Sequence, residues 1–133
     1  MVIAIIGILS AFLAPNYIGV RQRSRDGQRK ADLSSIRSAL ELYRADNSSY
    51  PSTLSSCGSA FTFNGATYMA KIPCDPSGTS APNSGSYTYR TDATTYSLIA
   101  CLENGQDVQR DTALPSPNPC DQSTNFAYTL SNP

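Results

Sequence analysis

The chain has 133 residues, with ten basic and ten acidic side chains and no histidine. Its length suits one domain with a modest core, and its balanced charge gives no reason to expect a nucleic-acid partner. The sequence also has no glycine-rich phosphate loop and no serine or cysteine in a recognisable nucleophile setting, so we do not expect an enzyme.

The first fourteen residues, MVIAIIGILSAFLA, carry no charge. They are too few to cross a bilayer, which needs about 20 residues. A signal peptide would have a basic start, and Pro15 would hinder cleavage after Ala14. A buried core helix is a second interpretation, although the segment is apolar on all sides. We favour a third, in which residues 1–20 belong to a hydrophobic anchor whose first residues precede this sequence.

Gly7 and Pro15 weaken a continuous helix in this segment. Pro15 has no N–H group to offer the carbonyl of Ala11, and a helical glycine costs about 1 kcal/mol relative to alanine. We therefore expect a kink or a melted stretch between Gly7 and Pro15, the alternative being a simple bend without a role.

The helical pattern continues to Asp46, and its second part, residues 21–46, is amphipathic. Its apolar residues step by three, four and three, which predicts one buried stripe packed on a sheet: Leu33, Ile36, Leu40 and Tyr43. A helix over residues 1–46 would be about 69 Å long, whereas a domain of this size has a radius of gyration of about 14 Å. The N-terminal half must therefore protrude into a membrane or against other copies of the chain.

Five cations lie within ten residues of this helix, opposed by one acid: Arg21, Arg23, Arg25, Arg29 and Lys30. One interpretation is a solvated helix face. The other is attraction to lipid headgroups or to acidic groups of neighbouring subunits.

Residues 47–133 predict a β-rich globular domain with many turns. Residues 86–91 and 94–102 are rich in β-branched and aromatic side chains and predict a hairpin. Phe126, Tyr128 and Leu130 indicate a last strand. The fold class is therefore α+β, with a small antiparallel sheet covering the apolar stripe of a long protruding helix.

The four cysteines all follow the helix: Cys57, Cys74, Cys101 and Cys120. Such a set suggests two disulfides formed in an oxidising compartment. A zinc site of four thiolates is the alternative, but no pair has the close spacing usual in such sites. Proximity in sequence favours the pairs Cys57–Cys74 and Cys101–Cys120.

Three segments resemble the type IV pilins and the major pseudopilins of type II secretion. VIAIIGILSAFLAPNYIGVRQRSR resembles their N-terminal signature, with Gly7 and Pro15 at its glycine and its helix-breaking proline. RKADLSSIRSALELYRADNSSYP resembles the next stretch of the same helix. The segment from Ile72 to Pro76 resembles the family's Pro-x-Asp-Pro turn. The family's cleavage motif and its Phe-Thr-Leu-Ile-Glu start are not in the sequence, so we expect about seven mature residues, by that alignment, to precede Met1.

The resemblance implies a pilin-like fold and a structural role. It implies processing by a prepilin peptidase, anchoring in the inner membrane, and assembly by an ATPase-powered machine into a helical homopolymer at the cell surface. Melting between Gly7 and Pro15 would accompany assembly. We expect first a pilin of a type IV pilus-like filament, with the adhesion or motility functions of such filaments. The alternatives are a major pseudopilin of type II secretion and a membrane-anchored extracytoplasmic binding domain.

The resemblance also implies a possible calcium site in a C-terminal loop. The candidate ligands are Glu103, Asp107, Asp111 and Asp121, because carboxylates suit hard cations. Their spacing matches no regular loop motif, and scattered surface acids are the simpler interpretation. We therefore expect no required cofactor, with calcium as the alternative.

Overall fold

The computed structural model describes residues 2–3, 5–7 and 17–132. One long helix, α1, runs from Tyr17 to Asn47, and the described residues before it are also helical. Gly7 is helical and exposed, but Pro15 and residues 8–16 lie outside the described residues, so melting there stays a prediction. Within the described ranges, no helix is both long and apolar enough to cross a bilayer.

The C-terminal end of α1 lies one residue beyond the predicted Asp46. Ser48 adopts a left-handed conformation (φ 60°), and its N–H donates to the Arg44 carbonyl at 2.8 Å. The Asn47 side chain donates to the Tyr43 carbonyl at 2.9 Å. The Ser48 bond occupies a carbonyl that the last turn would otherwise leave unpaired, and the left-handed conformation of Ser48 ends the helix.

The predicted stripe of α1 is its buried face. Leu33, Ile36, Leu40 and Tyr43 expose between 0% and 6% of their surface. The same face continues towards the N-terminus through two charged residues, Asp26 and Arg29, which keep the three-and-four spacing of one helix face.

Two antiparallel sheets follow the helix. The first is a hairpin of β1 (Phe61–Phe63) and β2 (Ala66–Met69). The second has three strands in the order β3-β4-β5, where β3 is Thr88–Thr91, β4 is Tyr96–Leu102 and β5 is Phe126–Ser131. Two short 3-10 turns, Gly78–Ser80 and Pro82–Gly85, join the sheets.

The β3–β4 hairpin forms as predicted, but both strands begin two residues later. The cause at β4 is Asp92, whose carboxylate accepts the N–H groups of Thr94 at 3.0 Å and Thr95 at 2.6 Å. This side-chain turn holds Thr94 and Thr95 outside the ladder.

β4 is the central strand and is covered on both faces. Tyr96, Leu98 and Ala100 belong to the core cluster of the α1 stripe. On the other face, Ile99 and Cys101 form a second cluster, together with Cys120 and Ala127. The α+β arrangement of a long helix on an antiparallel sheet is therefore confirmed.

The β1–β2 hairpin contacts α1 through aromatic rings. The Tyr43 ring lies 5.5 Å from that of Phe61, 5.3 Å from Phe63 and 5.1 Å from Tyr68, centroid to centroid. Edge-on and offset contacts at these distances add to the stabilisation from buried area. Tyr43 thus serves to pack the hairpin onto the helix.

Both disulfides join neighbours in sequence. Cys57 pairs with Cys74 at a separation of 17 residues, and Cys101 pairs with Cys120 at a separation of 19. These are the pairs that proximity in sequence favours. The first links the segment after α1 to the segment after β2, and the second links β4 to the segment before β5.

Candidate functional site

The first turns of α1 form an exposed surface that is both apolar and cationic. Tyr17, Ile18 and Val20 expose 63%, 70% and 62% of their surface. Arg21 and Arg23 follow in the chain and are also exposed. The Arg21 guanidinium lies 5.5 Å from the centre of the Tyr17 ring. No residue from 17 to 25 is buried. We call residues 17–24 the free end of α1, because Arg25 already binds Glu103 of the globular domain.

Beyond the free end, a buried ion cluster fixes α1 to the globular domain. Arg29 is 2% exposed and donates to both carboxylate oxygens of Asp75 at 2.7 and 2.8 Å, and to Asp26 at 2.7 Å. Its guanidinium also lies 2.9 Å from Glu103. Burial alone lowers the pKa of Arg29, but the hydrogen bonds to these carboxylates outweigh it and raise the pKa above its ordinary value. Arg29 is therefore a charged group at the centre of three acids.

Asp26 connects α1 to the loop that follows β4. Its two carboxylate oxygens accept the N–H groups of Glu103 at 2.9 Å and Asn104 at 2.8 Å. The Arg29 guanidinium compensates the charge of the Asp26 carboxylate. The Asp26 carboxylate thus pairs two backbone N–H groups whose burial without a partner would cost free energy.

Two partly buried ion pairs hold the same loop. Arg25 forms a two-bond pair with the carboxylate of Glu103, with Nε at 2.7 Å from Oε1. Hydrogen bonding from Arg25 is the main cause that lowers the pKa of Glu103 to about 2. Lys30 donates to Asp107 at 2.6 Å and to the Gln109 side chain at 2.8 Å. We call the loop from Glu103 to Gln109 the clamped loop.

The basic cluster of the sequence thus divides into two groups. Arg25, Arg29 and Lys30 bind acids of the same chain, and sequence reasoning missed this role. The sequence did indicate that Arg29 would be buried, because Arg29 lies four residues before Leu33 and so continues the buried stripe. Arg21 and Arg23 remain on the exposed surface.

Residues 16–114 match the family described as "Type II secretion system (T2SS), protein G". The chain belongs to this family. The resemblance drawn from the sequence is confirmed, and the chain is a structural, pilin-like component and not an enzyme.

Relatives of this chain include the type II secretion system core proteins G of three bacteria. It is 27% identical to the Vibrio cholerae protein over 116 residues, which cover 80% of this chain and 77% of that protein. It is 30% identical to the Escherichia coli protein, with 59% of this chain and 61% of that protein covered. The Pectobacterium carotovorum protein is 30% identical, with coverages of 59% and 57%. No solved structure matches the chain significantly.

The four acids considered for calcium do not converge in this structure. Glu103 and Asp107 bind cations of α1. Asp111 accepts the N–H and the hydroxyl of Thr129 at 3.2 and 2.6 Å. Asp121 is exposed and accepts backbone N–H groups of the three residues from Ser123 to Asn125. Among the described residues, no three histidine, cysteine or acidic side chains lie close enough to hold a metal ion. The four candidate ligands therefore have separate partners within the chain.

Proposed function

We propose that this protein G family chain is the repeating structural subunit of a secretion pseudopilus. Its N-terminal apolar segment would anchor it in the inner membrane and then enter the core of the filament. The globular domain would form the periplasmic surface. A prepilin peptidase and an ATPase-powered assembly machine would act on it.

The free end of α1 is the observation that carries this proposal. α1 is about 46 Å long at 1.5 Å per residue, and its buried contacts begin at Asp26 and end at Tyr43. The preceding residues expose Tyr17, Ile18 and Val20. Apolar side chains on a protruding helix lower their free energy by contact with lipid or with the same helix of another copy.

The comparisons favour the secretion alternative over a surface pilus. The matched relatives are named as secretion proteins, and the family match favours a structural component over an anchored binding domain. We therefore propose a periplasmic filament, and the cell-surface location with adhesion or motility stays a prediction.

Photocrosslinking in the native host tests the proposal. Benzoylphenylalanine replaces Ile18 in the free end, and the matched control replaces Val108, an apolar residue that is 98% exposed on the clamped loop. With the secretion machine present, the probe at Ile18 should yield a ladder of multimers of this chain, stronger than the control at Val108. Removing the assembly ATPase should shorten that ladder. Products at Ile18 that contain lipid or unrelated proteins, without multimers of this chain, would contradict the proposal.

A further inference from the structure

The resemblance to major pseudopilins implies a calcium site in a C-terminal loop, but among the described residues the four candidate ligands do not converge on one point. The clamped loop instead faces three cations of α1: Arg25, Arg29 and Lys30. We infer that these side-chain cations hold the clamped loop on α1 in place of a bound divalent cation, so the fold of this chain is independent of calcium. The inference does not rest on the proposed function, because the folding of the subunit can be measured without assembly.

Arg29 lies at the centre of a group of three carboxylates. Its N–H groups point to three carboxylates that come from three separate elements: Asp26 of α1, Asp75 before the 3-10 turns and Glu103 after β4. A calcium ion requires several oxygens at about 2.3 to 2.6 Å from one point. The guanidinium already fills the space between these oxygens, and each nitrogen-to-oxygen distance is that of a charge-assisted hydrogen bond.

The remaining cations act on the same loop. Arg25 adds a second partner for Glu103, and Lys30 binds Asp107 and Gln109. The ammonium of Lys30 also lies 5.5 Å from the Tyr128 ring of β5. The three cations face four carboxylates, Asp26, Asp75, Glu103 and Asp107, so their charges nearly balance without a metal.

The disulfide Cys101–Cys120 constrains the other side of this region. Both sulfurs are buried beside Ile99 and Ala127, and the bond joins the end of β4 to the segment that leads into β5. The segment between β4 and β5 is therefore fixed at its start by ion pairs and near its end by a covalent bond. Neither constraint uses a metal.

Thermal unfolding of the full chain in detergent micelles tests the independence from calcium. The midpoint, followed by far-ultraviolet circular dichroism, should be the same in excess calcium chloride and in excess EDTA. A midpoint that rises with calcium and saturates would overturn the inference, because ligands that bind only the folded state raise its stability.

Arg29→Met tests the role of the cation, because methionine fills much of the same volume without the charge. Three carboxylates would be left facing one another, so the midpoint should fall by about 10 °C or more. Arg21→Met is the matched control, since Arg21 is an exposed cation of the same helix, and its midpoint should stay near that of the parent chain. Equal midpoints for the two variants would overturn the inference.

Lys30→Gln provides a milder test in case Arg29→Met does not fold. Lys30 and Asp107 are both partly buried, so the midpoint should fall by about 2 to 5 °C. Arg23→Gln, an exposed control on the same helix, should leave it unchanged. A Lys30→Gln variant as stable as Arg23→Gln would count against the inference.

Discussion

At the scale of single residues, Glu103 receives more cationic contacts than a surface acid would. Its carboxylate binds Arg25 and Arg29 and accepts the Ser77 hydroxyl at 3.3 Å. Hydrogen bonding from Arg25 is the largest cause of its depressed pKa, about 2 against an ordinary 4.5. Between these two pH values, the unfolded chain binds a proton at Glu103 that the folded chain does not.

This difference predicts how stability depends on pH. The contribution of Glu103 is fully present above pH 4.5 and is lost as the pH falls towards about 2. Its size is on the order of 2 kcal/mol. Asp107, Asp92 and Asp121 also have lowered pKa values. Several groups therefore make the free energy of unfolding of the parent chain fall as the pH falls. Urea unfolding at a series of pH values should show a shallower slope for Glu103→Gln than for the parent. Equal slopes would mean that these cations do not lower the pKa of Glu103.

The ion pairs also show where sequence reasoning reaches its limit. The stripe from Leu33 to Tyr43 can be predicted from local sequence, because neighbouring positions on one helix face repeat every three or four residues. Asp75, which binds Arg29, lies 46 residues away from it, and Glu103 lies 78 residues from Arg25. No periodicity relates positions that far apart. Tertiary folding alone decides whether a cation near the start of a helix meets an acid or water.

At the scale of elements, β4 joins the two halves of the core. One face of β4 packs on α1 and the other on the segment that Cys101–Cys120 constrains. The alternating residues of β4 predict a strand, but the covered second face depends on the path of the residues between β4 and β5. Three prolines in that segment mark it as irregular, without giving its path.

The two disulfides should therefore contribute unequally to stability. Their loops are similar, with separations of 17 and 19 residues, so the loop-closure entropies are nearly equal and each is about 3 kcal/mol. Cys101 and Cys120 are buried, whereas Cys57 and Cys74 are half-buried. Replacing Cys101 and Cys120 by serine should lower the free energy of unfolding by about 1 kcal/mol more than replacing Cys57 and Cys74, because it also places hydroxyls in the apolar cluster. Guanidinium unfolding compares the two double variants. Losses of the same size would show that packing around Cys101 and Cys120 adds nothing.

At the scale of the whole molecule, α1 has two environments. From Arg25 to Tyr43 its side chains pack on the globular domain or form ion pairs with it, and from Tyr17 to Ser24 no side chain is buried. Membership in the protein G family agrees with this division, since a structural secretion component needs a surface for assembly as well as a stable domain. The ion cluster lies at the boundary between these two parts of α1.

Imaging of the native filament tests the central claim most directly. Filaments isolated from host cells that overproduce this chain would be analysed by cryo-electron microscopy and mass spectrometry. We predict that this chain is the repeating subunit, with residues 1–25 in the filament core and the β3-β4-β5 sheet on the outside. Filaments that lack this chain, with the chain itself monomeric in the membrane fraction, would contradict its assignment as a filament subunit.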